Sequence, residues 1–216
     1  MSDEPLPIVQ PAEQVVPGRR DASIRGLLLA AGTSDRFGGE NKLLATLDGT
    51  PIVRHAAETL VKSAVDGTTI VLGHEAPAVR ATLDDLPVEF VVNPDYVAGQ
   101  ASSLKAGLRT LLDSDAVVIA LGDMPDVSVD TVDILIRTYR TGGGDALAAS
   151  YAGVRGNPVL FDRRYFEEIL EVSGDVGARD ILLTAEQGGL VETKDPGVRR
   201  DIDEPGDMDR VRDRTN

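Results

Sequence analysis

Ile24-Arg25-Gly26-Leu27-Leu28-Leu29 runs straight into Ala30-Ala31-Gly32-Thr33-Ser34-Asp35-Arg36-Phe37-Gly38-Gly39-Glu40-Asn41-Lys42. The apolar run has the length and composition of a buried strand. Glycines, a threonine–serine pair, an arginine and a lysine follow it at once. Glycine accepts backbone conformations that turn successive N–H groups toward one point. Arginine can fork two phosphate oxygens, and lysine adds a mobile point charge. Two cations on a glycine-rich loop point to an anion. The stretch is not a P-loop, because no Gly-Lys-Ser/Thr closes it, and it is not G-x-G-x-x-G. On these residues alone, a plain strand-to-helix turn with surface cations is an equal reading.

Working outward, short apolar runs alternate with amphipathic segments. Strands are expected at 24–30, 68–72, 88–92, 116–121, 146–151 and 157–161, and helices at 51–63, 76–84, 101–112, 128–140, 163–172 and 177–186. Nearly continuous Val/Ile/Leu strands alternating with helices predict an α/β fold: a mostly parallel central sheet with helices on both faces. Residues 1–22, rich in Pro, Glu and Gln without apolar periodicity, read as a mobile tail, leaving 23–216 as one domain.

Composition removes several function classes. The chain has 36 Asp plus Glu against 22 Lys plus Arg, a formal charge of -14, with 42% hydrophobic residues and no cysteine. Thiolate zinc sites, disulfides and cysteine nucleophiles are excluded. An acidic surface repels a nucleic-acid backbone, so no nucleic-acid partner is expected. No apolar run approaches the roughly 20 residues of a membrane span, and the start lacks a signal-peptide pattern, so the expectation is a cytoplasmic protein. Sparse lysine and abundant carboxylate fit a halophilic surface or simply an acidic enzyme.

Ligands of parallel α/β sheets bind at the carboxyl ends of strands. After 116–121 comes Gly122-Asp123-Met124-Pro125. Magnesium is usually held by one or two carboxylates with substrate phosphates, so Asp123 is a candidate ligand; a turn or helix-capping Asp is the alternative. After 88–92 the segment Gly99-Gln100-Ala101-Ser102-Ser103-Leu104-Lys105-Ala106-Gly107 starts a helix whose first turn has free N–H groups for a base or phosphate, or is merely capped by serine. Near the end, Asp201 and Asp203 alternate around Ile202, which makes Asp203 a second metal candidate, while Asp207 reads as a helix cap. His55 and His74 lie away from these motifs and read as ordinary structural or surface residues.

Together, "LLLAAGTSDRFGGENKLL", "GQASSLKAG", "GDMP", "GVRGNPVLF", "SGDVGARDIL" and "DIDEPGD" resemble, in order, the motifs of nucleotidyltransferases that include the molybdenum cofactor cytidylyltransferases and guanylyltransferases. The resemblance covers roughly residues 24–212 and implies a Rossmann-like nucleotidyltransferase fold. Ala31-Gly32 is similar to the cytidylyltransferase branch, where guanylyltransferases more often carry two glycines. One position departs from it: Asn157 stands where the branch usually has histidine, keeping a donor and an acceptor but losing titration near neutral pH.

What the resemblance implies is Mg²⁺-dependent cytidylyl transfer from CTP to the terminal phosphate of molybdopterin cofactor. Its catalytic residues would be Arg36, Lys42 and Asp123, with Asp123 and Asp203 as metal ligands. Leu29, Ala30, Ala31, Gly32, Arg36, Lys42, Gly99, Ser102, Ser103 and Gly107 would bind nucleotide, and Arg155, Asn157, Asp175 and Arg179 the acceptor. Rival expectations are guanylyl transfer, transfer to another phosphorylated acceptor, and a non-catalytic cofactor-carrying chaperone. Transient docking to a client molybdoenzyme goes with the family.

Overall fold

The computed structural model describes residues 6–12, 15–17, 19–34, 37–174 and 177–212. Strands β1 (Ile8–Val9), β2 (Ile24–Ala30), β5 (Thr68–Leu72), β6 (Val88–Val92), β7 (Ala116–Leu121), β8 (Ala146–Tyr151), β9 (Val154–Asp162) and β10 (Gly188–Glu192) form one sheet in the order β1-β10-β8-β9-β7-β2-β5-β6. Every pairing is parallel except those of β9, which runs antiparallel to both β7 and β8. A short antiparallel hairpin, β3 (Thr46–Leu47) and β4 (Thr50–Pro51), stands apart.

Alternation along the strands sorts the helices into two layers. Ile24, Leu28, Ala116 and Val118 pack on one face with α1 (Ile52–Lys62), α2 (Ala76–Ala81) and α4 (Val129–Arg140). Leu27, Val117, Ile119 and Phe161 pack on the other with α3 (Gln100–Leu108), α5 (Phe166–Glu171) and α6 (Arg179–Thr184). With both faces covered, a parallel strand has no polar side to show, which is why β5 is buried throughout. The last helix, α7 (Pro205–Arg212), follows Asp203-Glu204, and Asp207 Oδ2 accepts from the N–H groups of both, 3.1 and 3.0 Å away, in the capping role its position implied.

From β2 the chain moves outward through β5 to β6, then crosses back to lay β7 on the other side of β2. The carboxyl ends of β2 and β7 therefore flank the point where strand order reverses, where such sheets open a crevice. Gly122 N–H donates to Leu29 O at 2.9 Å and ties the two ends together.

The start of the chain corrects one expectation. Instead of a free tail over 1–22, the described residues there lie along the sheet edge. β1 pairs with β10, Ala12 N–H donates to Thr141 Oγ1, and Val16 N–H donates to Arg140 O. Arg19 forms an ion pair with the fully buried Asp145, sits 4.4 Å over the Tyr139 ring, and donates to Tyr139 O and Gly144 O. A segment of low apolar content is ordered by what it touches, which local composition does not report. Strand β10 was missed for a related reason: its opening Gly188-Gly189 has little strand propensity, and pairing with β8 and β1 supplies the order.

Candidate active site

Three segments far apart in sequence meet at the strand-order reversal. The first follows β2, where Ser34 holds a left-handed φ of 60°. Its hydroxyl accepts from Lys42 N–H at 3.1 Å. Asn41, 5% exposed, accepts from Leu43 N–H at 3.1 Å and so caps a single 3-10 turn, Lys42–Leu44. The loop and the turn thus fix the root of Lys42 while its side chain reaches into the crevice.

The second segment, after β7, delivers Asp123. The third is Asp201-Ile202-Asp203: Ile202 is buried beside Phe37, Leu47 and Ile52, and its N–H donates to Asp123 O at 2.9 Å. That one backbone bond sets Asp203 next to Asp123. Lys42 Nζ then donates to Asp123 Oδ2 at 2.7 Å and to Asp203 Oδ1 at 2.9 Å.

The electrostatics follow from burial. Desolvation pushes the Asp123 carboxyl above its ordinary value, Lys42 opposes this, and Asp201 adds to it. For Lys42, burial works against the charge, but Asp123 and Asp203 together outweigh it and hold the ammonium above its usual value. Asp123 Oδ1 is buried and has no hydrogen-bond partner among the described residues. A buried carboxylate oxygen left unmatched is costly unless a ligand takes it. Two carboxylates, one with a bare inward oxygen, fit an octahedral dication that takes its other ligands from phosphate and water. Among the described residues no group of three or more His, Cys, Asp or Glu forms a closed metal cage.

Two cavities open on this triad, and a third adjoins them through Leu29, Gln100 and Leu121. One of about 230 Å³ is lined by Leu29, Ala30, Gly32, Thr33, Ser34, Lys42, Leu43, Asp123 and Asp203. A second, of about 660 Å³, shares Leu29, Gly32, Thr33 and Asp123 and adds Ala31, Tyr96, Val97, Gly99, Gln100, Ser103 and Leu121. The third, of about 340 Å³, lies beyond Gln100 and Leu121 and holds Arg155, Asn157 and Arg179 over an apolar floor of Leu104, Ile119, Val159 and Leu182. Arg155 is half-buried and held below its ordinary value, first by burial and then by repulsion from Arg179. Glu192 accepts from Ala152 N–H, Gly153 N–H and Ser150 hydroxyl, bracing the hairpin that carries Arg155 and Asn157.

Of the residues predicted from sequence, Leu29, Ala30, Ala31, Gly32, Lys42, Gly99, Ser103, Asp123, Arg155, Asn157, Arg179 and Asp203 all line these connected cavities. Arg36 and Asp175 lie outside the described residues. Two others are not brought to the cleft. Ser102 turns its hydroxyl to Asp95 O and Gly99 O and accepts from Asn93 Nδ2, so it builds the turn. Gly107 faces the sheet: a Cβ there would lie 2.4 Å from Leu27 Cδ1 and 2.6 Å from Val71 Cγ2. Its lack of a side chain serves helix–sheet packing.

Several contributors escaped the sequence reading. Buried Asn93 donates to both Ser102 and Ser103, joining the end of β6 to α3. Tyr96 and Gln100 wall the cavity of about 660 Å³. His74 is more than a surface residue, since its N–H donates to Ala31 O at 3.3 Å and its ring lies 6.1 Å from that of Tyr96. Gly73 lets these walls close, because a Cβ would meet Tyr96 Cβ at 2.6 Å and Ala31 Cβ at 2.8 Å. The turn-forming Asn-Pro pair at 93–94 was the available signal for Asn93.

Comparison with known proteins places this geometry. Residues 26–188 match the family described as MobA-like NTP transferase domain. The chain is 33% identical over 197 residues to nicotine blue oxidoreductase of Paenarthrobacter nicotinovorans, covering 87% of this chain and 96% of that protein. It is 30% identical over 208 residues to purine catabolism protein PucB of Bacillus subtilis (strain 168), covering 89% and 98%. The crystal structure of Rv0371c from Mycobacterium tuberculosis H37Rv superposes with a TM-score of 0.80 at 27% identity, covering 89% of this chain and 98% of that one. A complex of Rv0371c with manganese gives 0.74 at 26% identity, covering 89% and 99%. No helix among the described residues is long and apolar enough to cross a membrane.

Proposed function

The chain belongs to the MobA-like NTP transferase domain family, and on that premise we propose that it transfers a cytidylyl group from CTP to the terminal phosphate of molybdopterin cofactor. The observation that carries this reading is the Lys42–Asp123–Asp203 triad, which lines one cavity and through Asp123 a second, with an oxygen of Asp123 that is buried and has no hydrogen-bond partner among the described residues.

In this reading the triphosphate lies along the loop after β2, against the backbone of Gly32 and Thr33, with Lys42 near the α-phosphate and Arg36 on the outer phosphates. The cavity walled by Tyr96, Gln100 and Ser103 takes the base. Arg155, Asn157 and Arg179, with Asp175, hold the acceptor, the flat face of whose heterocycle rests on Leu104, Ile119 and Val159. An acceptor phosphate oxygen attacks the α-phosphorus as the bond to the β-phosphate oxygen breaks, and pyrophosphate leaves. Asp123 and Asp203 would hold Mg²⁺, which when bound neutralises charge on the phosphates. The nucleophile is already an anion, so the chain's own contribution is alignment and charge compensation rather than proton transfer. The manganese-bound Rv0371c structure supports a divalent ion in a protein of this kind. The preference for CTP rests on Ala31, whose methyl packs against Gly73 behind the base cavity.

The test is incubation with Mg²⁺, molybdopterin cofactor and each nucleoside triphosphate in turn, reading pyrophosphate release. Release with CTP and little with GTP is expected; preference for GTP would replace the cytidylyl assignment by a guanylyl one. Release that requires a sugar phosphate in place of the cofactor would change the acceptor. Because one relative carries a redox name, a parallel arm follows reduced-nicotinamide oxidation, and turnover there without pyrophosphate release would overturn the reading.

A further inference from the structure

Lys42 stands where a cation would be needed if the ammonium were not there. Its Nζ bridges Asp123 and Asp203 at 2.7 and 2.9 Å, and the three side chains are 13%, 20% and 28% exposed. Two partly buried carboxylates drawn this close repel unless something positive lies between them. Asp123 presents one oxygen to Lys42 and leaves the other, Oδ1, buried without a hydrogen-bond partner among the described residues. The pocket is therefore only partly compensated in charge, one ammonium against two carboxylates, and incomplete in coordination. The root of Lys42 is pinned by Ser34 and Asn41, while its long, intrinsically flexible stem lines the same cavity as Gly32 and Thr33.

We propose that Lys42 is a tethered placeholder, an ammonium that occupies the Asp123–Asp203 pair until a triphosphate draws it away and a divalent metal takes the site. The inference rests on the nucleotidyl-transfer reading given above. A metal arriving alone competes with the ammonium for both carboxylates. A metal arriving with nucleotide does not, because Lys42 gains phosphate oxygens in exchange. Metal and nucleotide thus strengthen one another's binding beyond their direct contact, and by the same factor in each direction. The device keeps an unliganded site from loading with metal before substrate is present.

The experiment measures Mn²⁺ binding, by the loss of its free electron-paramagnetic resonance signal, in wild type and Lys42→Met, with and without a non-hydrolysable α,β-methylene analogue of CTP. Without nucleotide, Lys42→Met should bind Mn²⁺ at least about tenfold more tightly than wild type, and the analogue should tighten Mn²⁺ by a larger factor in wild type than in the variant. Equal or weaker Mn²⁺ binding by Lys42→Met without nucleotide overturns the placeholder while leaving the metal site intact. No Mn²⁺ binding in any sample, analogue included, overturns both. If Lys42→Met fails to fold, wild type labelled with ¹⁵N-lysine decides alone. Its Lys42 Nζ resonance should hold when equimolar Mg²⁺ is added and move when the analogue follows; movement with Mg²⁺ alone overturns the proposal.

Discussion

Replacing Gly107 by alanine separates two roles for one glycine. The added Cβ would sit 2.4 Å from Leu27 Cδ1 and 2.6 Å from Val71 Cγ2, whereas unstrained carbon–carbon contacts lie near 3.5–4.0 Å. Each neighbour must retreat by roughly 1 Å. Leu27 and Val71 are fully buried on adjacent strands β2 and β5, and Val71 is β-branched, so neither has an empty direction to move. Overpacking of this kind costs about 1–3 kcal/mol, and the crowding here argues for the upper half. Alanine returns about 1 kcal/mol of helix propensity inside α3. The net loss is about 1–2 kcal/mol, which for a chain of this size lowers Tm by roughly 2–8 °C. Thermal unfolding followed by circular dichroism reads the effect, and CTP affinity by calorimetry reads the alternative. A Tm at or above wild type together with weakened CTP binding would refute the packing argument and return Gly107 to the nucleotide site.

Asp123→Asn should retain the fold but lose about 10²-fold or more in turnover, about 3 kcal/mol of transition-state stabilisation, and near-normal pyrophosphate release would show that Asp123 is only a turn residue. Ala31→Gly should narrow the CTP-over-GTP ratio of kcat/KM by no more than about 1–3 kcal/mol, the value of one methyl in a pocket; a widened ratio would sink the steric account. Arg19→Ala strands Asp145, which then keeps only the ion pair with the half-exposed Arg164. Losing one partner of a buried pair costs about 3–5 kcal/mol, discounted here to about 2 because Arg164 remains, so Tm should fall by about 4–8 °C. Turnover at moderate temperature should not change, since this cluster lies at the amino-terminal end of β8 while Lys42 lies beyond the carboxyl end of β2, and a kcat loss without a Tm loss would contradict that.

The inner strands were legible because their composition is nearly uniform: 24–30, 68–72, 116–121 and 146–151 coincide with β2, β5, β7 and β8, and the apolar run 88–92 coincides with the half-exposed edge strand β6. Strand β9 begins at Val154, three residues before its expected start, because pairing with β8 extends it through Arg155-Gly156. Gly156 permits this: a Cβ there would lie 2.1 Å from Val198 O. Asp123 and Lys42 were readable because they follow strands at the binding edge. Their contact was not, since nothing local says that Ile202 N–H will find Asp123 O. Asn93 and Asn41 escaped for the same reason, as a buried amide declares itself only by the partners that satisfy it.

The same long-range bond bears on how the protein comes into being. Lys42 and Asp123 are 81 positions apart, and Lys42 and Asp203 are 161. Every helix and strand from β2 to β10 must be synthesised before the second carboxylate exists, and it must then be laid against the end of β7. Contacts of such separation form late, after the loop between them has been closed. A nascent or half-collapsed chain therefore owns most of the sheet but none of the assembled triad, and is silent toward nucleotide and metal. On the proposed reading, catalytic competence therefore requires a chain folded across this whole span.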